Sequence, residues 1–204
     1  MALDKKLNIG VSEYNSIPDF LNIGIEFTHK GIIEKDGKRM LRHDVTQPFP
    51  ISDESVEFIY ASHIVEHLSI EDFHFFLKEC YRILHSGGVL RIVCPDLQKW
   101  ISAYINKDKS FFNRYRDILK QNIGRPWNTI STDLMFTDTD IFVNSLHNWN
   151  HKWAFDFESI RRHLSSCGFD NIINTSYRNS AYDDIGTIEP EFHKLESLYV
   201  EVKK

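Results

Sequence analysis

Val56-Glu57-Phe58-Ile59-Tyr60-Ala61-Ser62 is an apolar run, β-branched at its start, that reads as a buried central strand. In the residues that follow, Ile70–His85, the apolar side chains Ile70, Phe73, Phe76, Leu77, Cys80, Ile83 and Leu84 recur at helical spacing. Ser69 is placed to cap that helix, and Glu71 and Asp72 suit its positive N-terminal end. Gly87-Gly88 stops the helix, Val89–Cys94 forms a second buried strand, and Pro95 ends it. Strand, helix and strand with tight glycine punctuation make a βαβ unit, which implies a parallel sheet.

Working outward, Leu7–Gly10, Leu21–Phe27 and Met40–Val45 read as earlier strands, with a turn at Lys35-Asp36-Gly37-Lys38 and a loop over Thr46–Ser55. Downstream, Leu97–Asn122 reads as helix in two pieces, and Phe157–Cys167 as a helix closed by Gly168. Asn171–Tyr177 and Ser197–Val202 complete the strands. Gly124–Asn150, rich in Trp, Asn, Thr and Asp, is less regular. The expectation is an α/β fold, a Rossmann-like doubly wound and mostly parallel sheet. It forms a single domain over 1–204, with an inserted cap over about 123–155 on the acceptor side.

The chain has 204 residues, 42% of them hydrophobic and 26% charged, and a net charge of -5. It carries no basic stripe of the kind that holds phosphate backbones, so nucleic acid is disfavoured as a partner. The three cysteines, Cys80, Cys94 and Cys167, are too far apart for a Cys-x-x-Cys pair and suit reduced, buried thiols. Met1–Asn8 has no apolar signal core and no run reaches transmembrane length. The expectation is a cytoplasmic protein with no membrane partner.

In open parallel sheets, ligands bind beyond the carboxyl ends of the strands. The residues there are Gly10, Glu26, Asp44, Ser62-His63 and Pro95-Asp96. Gly10 allows a close backbone approach to a ligand or is a plain turn glycine. Glu26 can accept hydrogen bonds from ribose hydroxyls or be a solvated charge. Asp44 can accept from an adenine amino group or close an Asx turn. His63-Ile64-Val65-Glu66-His67 also matches the inverted zinc-peptidase pattern. That chemistry needs both histidines on one helix face, whereas His63 closes a strand. The zinc hydrolase reading therefore ranks third, and no metal site is assigned.

Pro48-Phe49-Pro50, the acidic turn Asp53-Glu54, the strand Val56–Ser62 and His63-Ile64-Val65-Glu66-His67-Leu68 together resemble the fourth-strand motif of class I S-adenosylmethionine-dependent methyltransferases. Arg82-Ile83-Leu84-His85-Ser86-Gly87-Gly88, leading into Val89–Ile92, is similar to the next signature of that family, with Ser86 in place of a proline. Leu7–Gly10, Pro18–Asn22, His151–Asp156, Cys167-Gly168-Phe169 and Ser197–Glu201 resemble a small, type-11-like subgroup with a shortened first helix. Two features depart from it. Gly10-Val11-Ser12-Glu13 holds one glycine where the family has several, and the acidic position of the second strand falls on Gly24, with Glu26 two residues on.

The resemblance implies S-adenosyl-L-methionine as cofactor, held by Gly10, Ser12, Glu26, Asp44, Val45, Ser62 and His63. It also implies methyl transfer to oxygen or nitrogen of a small-molecule or saccharide acceptor, as in saccharide or natural-product biosynthesis. His67, His147 and His151 are the candidate catalytic bases, since imidazole titrates near neutral pH. Asp140 and Asp156 rank behind them. Trp149 and Trp153 suit core packing or stacking on a ring. The alternative is a cofactor-free binding or scaffold protein on a degenerate methyltransferase fold. A homodimer is compatible with either reading.

Overall fold

The computed structural model describes residues 5–12, 15–122, 132–183 and 185–204. Its eight strands are β1 (Lys6–Ile9), β2 (Leu21–Gly24), β3 (Ile32–Lys35), β4 (Lys38–Arg42), β5 (Val56–Ser62), β6 (Leu84–Pro95), β7 (Asp170–Asn174) and β8 (Ser197–Lys203). They form one sheet in the order β3-β4-β2-β1-β5-β6-β8-β7. The β4-β2-β1-β5-β6 stretch is parallel throughout, while β3, β7 and β8 run antiparallel to their neighbours. The Rossmann-like, mostly parallel sheet expected from the sequence is present. The strand order changes direction between β1 and β5, the kind of position at which ligands bind beyond the carboxyl ends of such sheets.

The helices are α1 (Ile70–Ile83), α2 (Leu97–Ile105), α3 (Lys109–Gln121), α4 (Asp138–His147), α5 (Phe157–Ser166) and the single turn α6 (Ile185–Ile188). Ser69 caps α1 as expected, its hydroxyl accepting from Asp72 N at 3.1 Å. The apolar stripe of α1 buries Phe73, Phe76, Leu77 and Cys80 against Ile59, Ala61, Leu90 and Ile92, with Ile160 and Leu164 of α5 beside them. Each of these large side chains contributes about 1.5–3 kcal/mol on burial.

The opposite face of the sheet is covered differently. Between β1 and β2 the described residues contain no α-helix, in line with the shortened first helix of the resemblance. Two buried asparagines hold the connection in its place. Asn8 Nδ2 donates to Asn15 O and to Asn22 Oδ1, while Asn22 Nδ2 donates to the carbonyls of Ile17, Phe20 and Arg39. Phe20, Tyr182 and Ile185 then pack on Phe58, Tyr60, Val93 and Tyr199. Arg91, fully buried on β6, anchors the covering segment through Glu189 at 2.6 Å and the carbonyls of Ser176 and Asn179 at 3.0 Å.

Several expected boundaries shift. α1 ends at Ile83 instead of His85, because Leu84 is already extended and pairs with Val56, so β6 begins at Leu84 instead of Val89 and Gly87-Gly88 lie within the strand instead of stopping the helix. β7 spans Asp170–Asn174 instead of Asn171–Tyr177. β2 stops at Gly24 instead of Phe27, leaving Ile25 and Glu26 exposed. β4 spans Lys38–Arg42 instead of Met40–Val45, because Asp44 closes a turn in which Thr46 N and Oγ1 donate to its Oδ1 at 3.0 and 2.8 Å. The Lys35–Lys38 turn is a hairpin whose first arm, β3, has no sequence counterpart above. Asp36 and Gly37 both take positive φ, 53° and 70°, the geometry of a two-residue hairpin. Within the irregular stretch, α4 is helical and carries a capping box between Thr137 and Asp140. Residues 123–131 of the expected cap, and Glu13 of the Gly10–Glu13 loop, lie outside the described residues.

Candidate functional site

The carboxyl edge of β1, β2 and β4 carries the expected cofactor residues. Gly10 follows β1 with φ 84°, a conformation that favours glycine. A Cβ there would lie 2.6 Å from Ile64 Cβ, so packing also demands glycine at this position. At the end of β2, a Cβ on Gly24 would lie 1.8 Å from the carbonyl oxygen of Val11. The first loop therefore occupies the space where an acidic side chain would stand, and the acid two residues on, Glu26, is exposed beyond the strand tip. Asp44 is exposed on the neighbouring strand end, and Thr46 and nearby His43 hold its carboxyl below the ordinary range despite partial burial. Ser12 stabilises its own loop, its N and Oγ donating to Asn15 Oδ1. Val45 is buried in the core and Ser62 is half-buried at the end of β5. Two carboxylates on adjacent strand ends, beside a tight glycine turn, suit the diol and amino groups of an adenosine.

The carboxyl ends of β5 and β6 carry a second, denser group. His63 follows β5 with φ 51°, and Val65–His67 form a single 3-10 turn before α1. His63 and His67 thus share no helix face, and the inverted zinc-peptidase arrangement is absent. The His63 ring is turned into the sheet end. Its Nδ1 lies 3.0 Å from Glu66 Oε1, its Nε2 3.1 Å from Ser197 Oγ, and its ring centre 3.8 Å from that of His193, the two rings tilted by 43°. Burial opposes its charge, but Glu66 and Glu196 hold its pKa above the usual value. Burial likewise opposes ionisation of Glu66, yet His63, His67 and His151 hold its carboxyl below the ordinary range.

Glu66 is 1% exposed and joins this group to the segment that follows α4. Its backbone carbonyl accepts from Lys152 N and Trp153 N at 2.8 and 3.1 Å. That pairing brings the His151 ring to 4.9 Å from the His67 ring, edge to face. His151 Nδ1 lies 2.9 Å from the Ser145 carbonyl, so Nδ1 carries the proton and Nε2 has a free lone pair. Burial lowers the pKa of His151, against the opposing pull of Glu66. Two of the three histidines singled out as bases are therefore neighbours. His147 stands exposed on the last turn of α4.

A narrow cleft opens beside this group, lined by Glu66, Pro95, Leu97, Trp100, His151 and Trp153, with room for about one water molecule as it stands. Trp153 is 45% exposed, whereas Trp149 is half-buried and packs on the α2–α4 cluster, as core packing anticipates. Asp156 caps α5 through Ser159 N at 2.8 Å, and Asp140 is committed to its capping box. Glu66, His193 and Glu196 had no assigned role in the sequence reading. The signal for Glu66 is its place in His63–His67, but Lys152 and Trp153, which donate to its carbonyl, lie more than 80 residues away.

Residues 23–92 match a family model described as a methyltransferase domain. No curated protein matches the chain. A methyltransferase structure from Archaeoglobus fulgidus is 15% identical, with a TM-score of 0.51 over 98% of this chain and 85% of that one. One from Thermotoga maritima is 16% identical, with a TM-score of 0.52 over 98% and 82%. One from Mesorhizobium loti is 12% identical, with a TM-score of 0.51 over 98% and 90%. At these identities the structures speak for the fold. Among the described residues, no helix is long and apolar enough to cross a membrane.

Proposed function

We propose that this chain, a class I S-adenosylmethionine-dependent methyltransferase, methylates a small-molecule or saccharide acceptor whose hydroxyl reaches the mouth of the cleft beside Glu66 and His151. The observation that carries the reading is the position of that cleft. It lies at the carboxyl end of β6, on the same sheet edge as the ends of β2 and β4 that precede Glu26 and Asp44, and it has the His151 ring beside the half-exposed Trp153.

S-adenosylmethionine, when bound, supplies an electrophilic methyl group. The chain's own residues have three tasks. Asp44 and Glu26 hold the nucleoside by accepting hydrogen bonds at adjacent strand ends. Trp153, 45% exposed at the cleft, offers flat apolar surface for a sugar or aromatic ring, while Trp100 is buried behind it in the core. His151, its Nδ1–H held by the Ser145 carbonyl, presents Nε2 to take the acceptor's proton, with His67 beside it. The tie between the Glu66 carbonyl and Lys152-Trp153 sets the distance between cap and sheet, so that acceptor and nucleoside share one edge.

The test is a methyl-transfer assay with radiolabelled cofactor against a panel of sugars and small phenols. A hydroxyl acceptor should be labelled, and His151→Ala should lower kcat by about 10²–10⁴. Labelling confined to amines, or His151→Ala at full rate, would refute the hydroxyl assignment.

A further inference from the structure

We propose that Glu66, His67 and His151 form a binding site for a divalent first-row transition-metal ion, with an open coordination position toward the cleft. One ligand atom from each lies within 4.8 Å of the others. A tetrahedral ion with bonds of about 2.1 Å sets its donors about 3.4 Å apart, so small side-chain rotations close the site.

Several independent features point to an ion. Glu66 is buried to 99%, its Oε1 has the His63 ring 3.0 Å away, and its Oε2 has no hydrogen-bond partner. An orphaned carboxylate oxygen in the interior is costly unless something cationic meets it. His151 donates from Nδ1 to the Ser145 carbonyl, the outer contact that commonly fixes a metal-binding imidazole with its other nitrogen bare. His63 against Glu66 supplies the matching support for the carboxylate. The elements carrying the donors are already tied together, by Lys152 N and Trp153 N on the Glu66 carbonyl. Two imidazoles and one carboxylate suit zinc, iron, manganese or cobalt, whereas magnesium and calcium take oxygen ligands. Three protein donors leave a position for water or substrate, and Glu66 and His151 both line the cleft.

The inference shares its cleft with the reading above and changes one role in it: the imidazoles hold an ion that acidifies the hydroxyl, instead of taking the proton themselves. Metal binding is measured without cofactor or acceptor, so either idea can fail while the other stands. Chelator-stripped protein is titrated calorimetrically with Zn²⁺ alone. We expect one ion per chain and affinity at least about tenfold weaker in both His67→Ala and His151→Ala, because even the loss of an outer-shell contact costs about 10–100-fold. His85→Ala, at the far end of β6, should bind as the parent does. Absence of saturable binding, or unchanged affinity in His67→Ala and His151→Ala, overturns the site. Should either variant fail to fold, the parent protein decides. Substoichiometric Mn²⁺ should broaden the ring resonances of His67 and His151 first, and uniform broadening over all 10 histidines overturns the site equally.

Discussion

Arg91→Met tests the idea that one buried arginine stands in for missing helices. Arg91 sits on a central strand with no exposure, and five groups depend on it. Its Nε donates to Glu189 Oε1 at 2.6 Å, and its Nη1 to Glu201 Oε2 at 3.2 Å and Asn179 O at 3.0 Å. Its Nη2 donates to Ser176 O at 3.0 Å, and its Cζ lies 5.3 Å from the Tyr199 ring centre. Methionine fills most of the volume but removes the charge. Glu189 then keeps only the donors on the covering segment, such as Arg178 N at 2.6 Å, and Glu201 keeps Ala181 N at 2.8 Å and the Ser180 hydroxyl. Breaking a buried pair in this way costs about 3–5 kcal/mol. For a chain of this size that lowers Tm by roughly 6–20 °C. Urea melts followed by far-UV circular dichroism measure it. Adding Glu189→Gln and Glu201→Gln to Arg91→Met should recover part of the loss, since the uncompensated charges are then gone. A loss below about 1 kcal/mol in Arg91→Met would refute the reasoning, as it would mean water already reaches these carboxylates.

Glu26→Ala and Asp44→Ala should each weaken S-adenosylhomocysteine binding about 10–100-fold by calorimetry, the worth of a hydrogen bond to a charged group, with thermal melts close to the parent. Unchanged affinity in both would sink the placement of the nucleoside. Gly24→Asp should destabilise by at least about 1–3 kcal/mol, because its Cβ falls 1.8 Å from the Val11 carbonyl and the first loop must move; an unshifted melting curve would contradict that. Glu79 accepts from Arg82, at 2.8 Å on both oxygens, and from Phe49 N at 2.7 Å, contacts that hold its pKa below the ordinary value despite burial. Its stabilising effect is thus fully present above the unfolded carboxylate pKa of about 4.3 and fades as pH falls through the lower folded value. Glu79→Gln should be less stable than the parent at neutral pH, and the gap should close in urea melts at about pH 3; a gap independent of pH would refute the ionised pairing.

The sequence by itself determined the βαβ centre. Helical spacing from Ile70 onward and the Ser69 cap are local signals, and α1 between β5 and β6 follows from them, although the helix ends at Ile83 and Gly87-Gly88 lie inside β6. It also placed Gly10, Asp44 and His63 at strand ends, because β-strand length and direction fix where a chain emerges. Tertiary structure decided what those ends contain. The end of β2 is closed to an acid by Val11, ten or more residues earlier in the chain, which no local pattern reports. The hairpin arm β3, largely exposed, shows no alternation for a periodicity argument to find. Above all, Glu66 and His67 come from the turn after β5 and His151 from beyond α4, more than 80 residues on. Two backbone hydrogen bonds to the Glu66 carbonyl bring them together. Chemistry at a sheet edge depends on which crossovers end beside one another, and that is a property of the folded sheet.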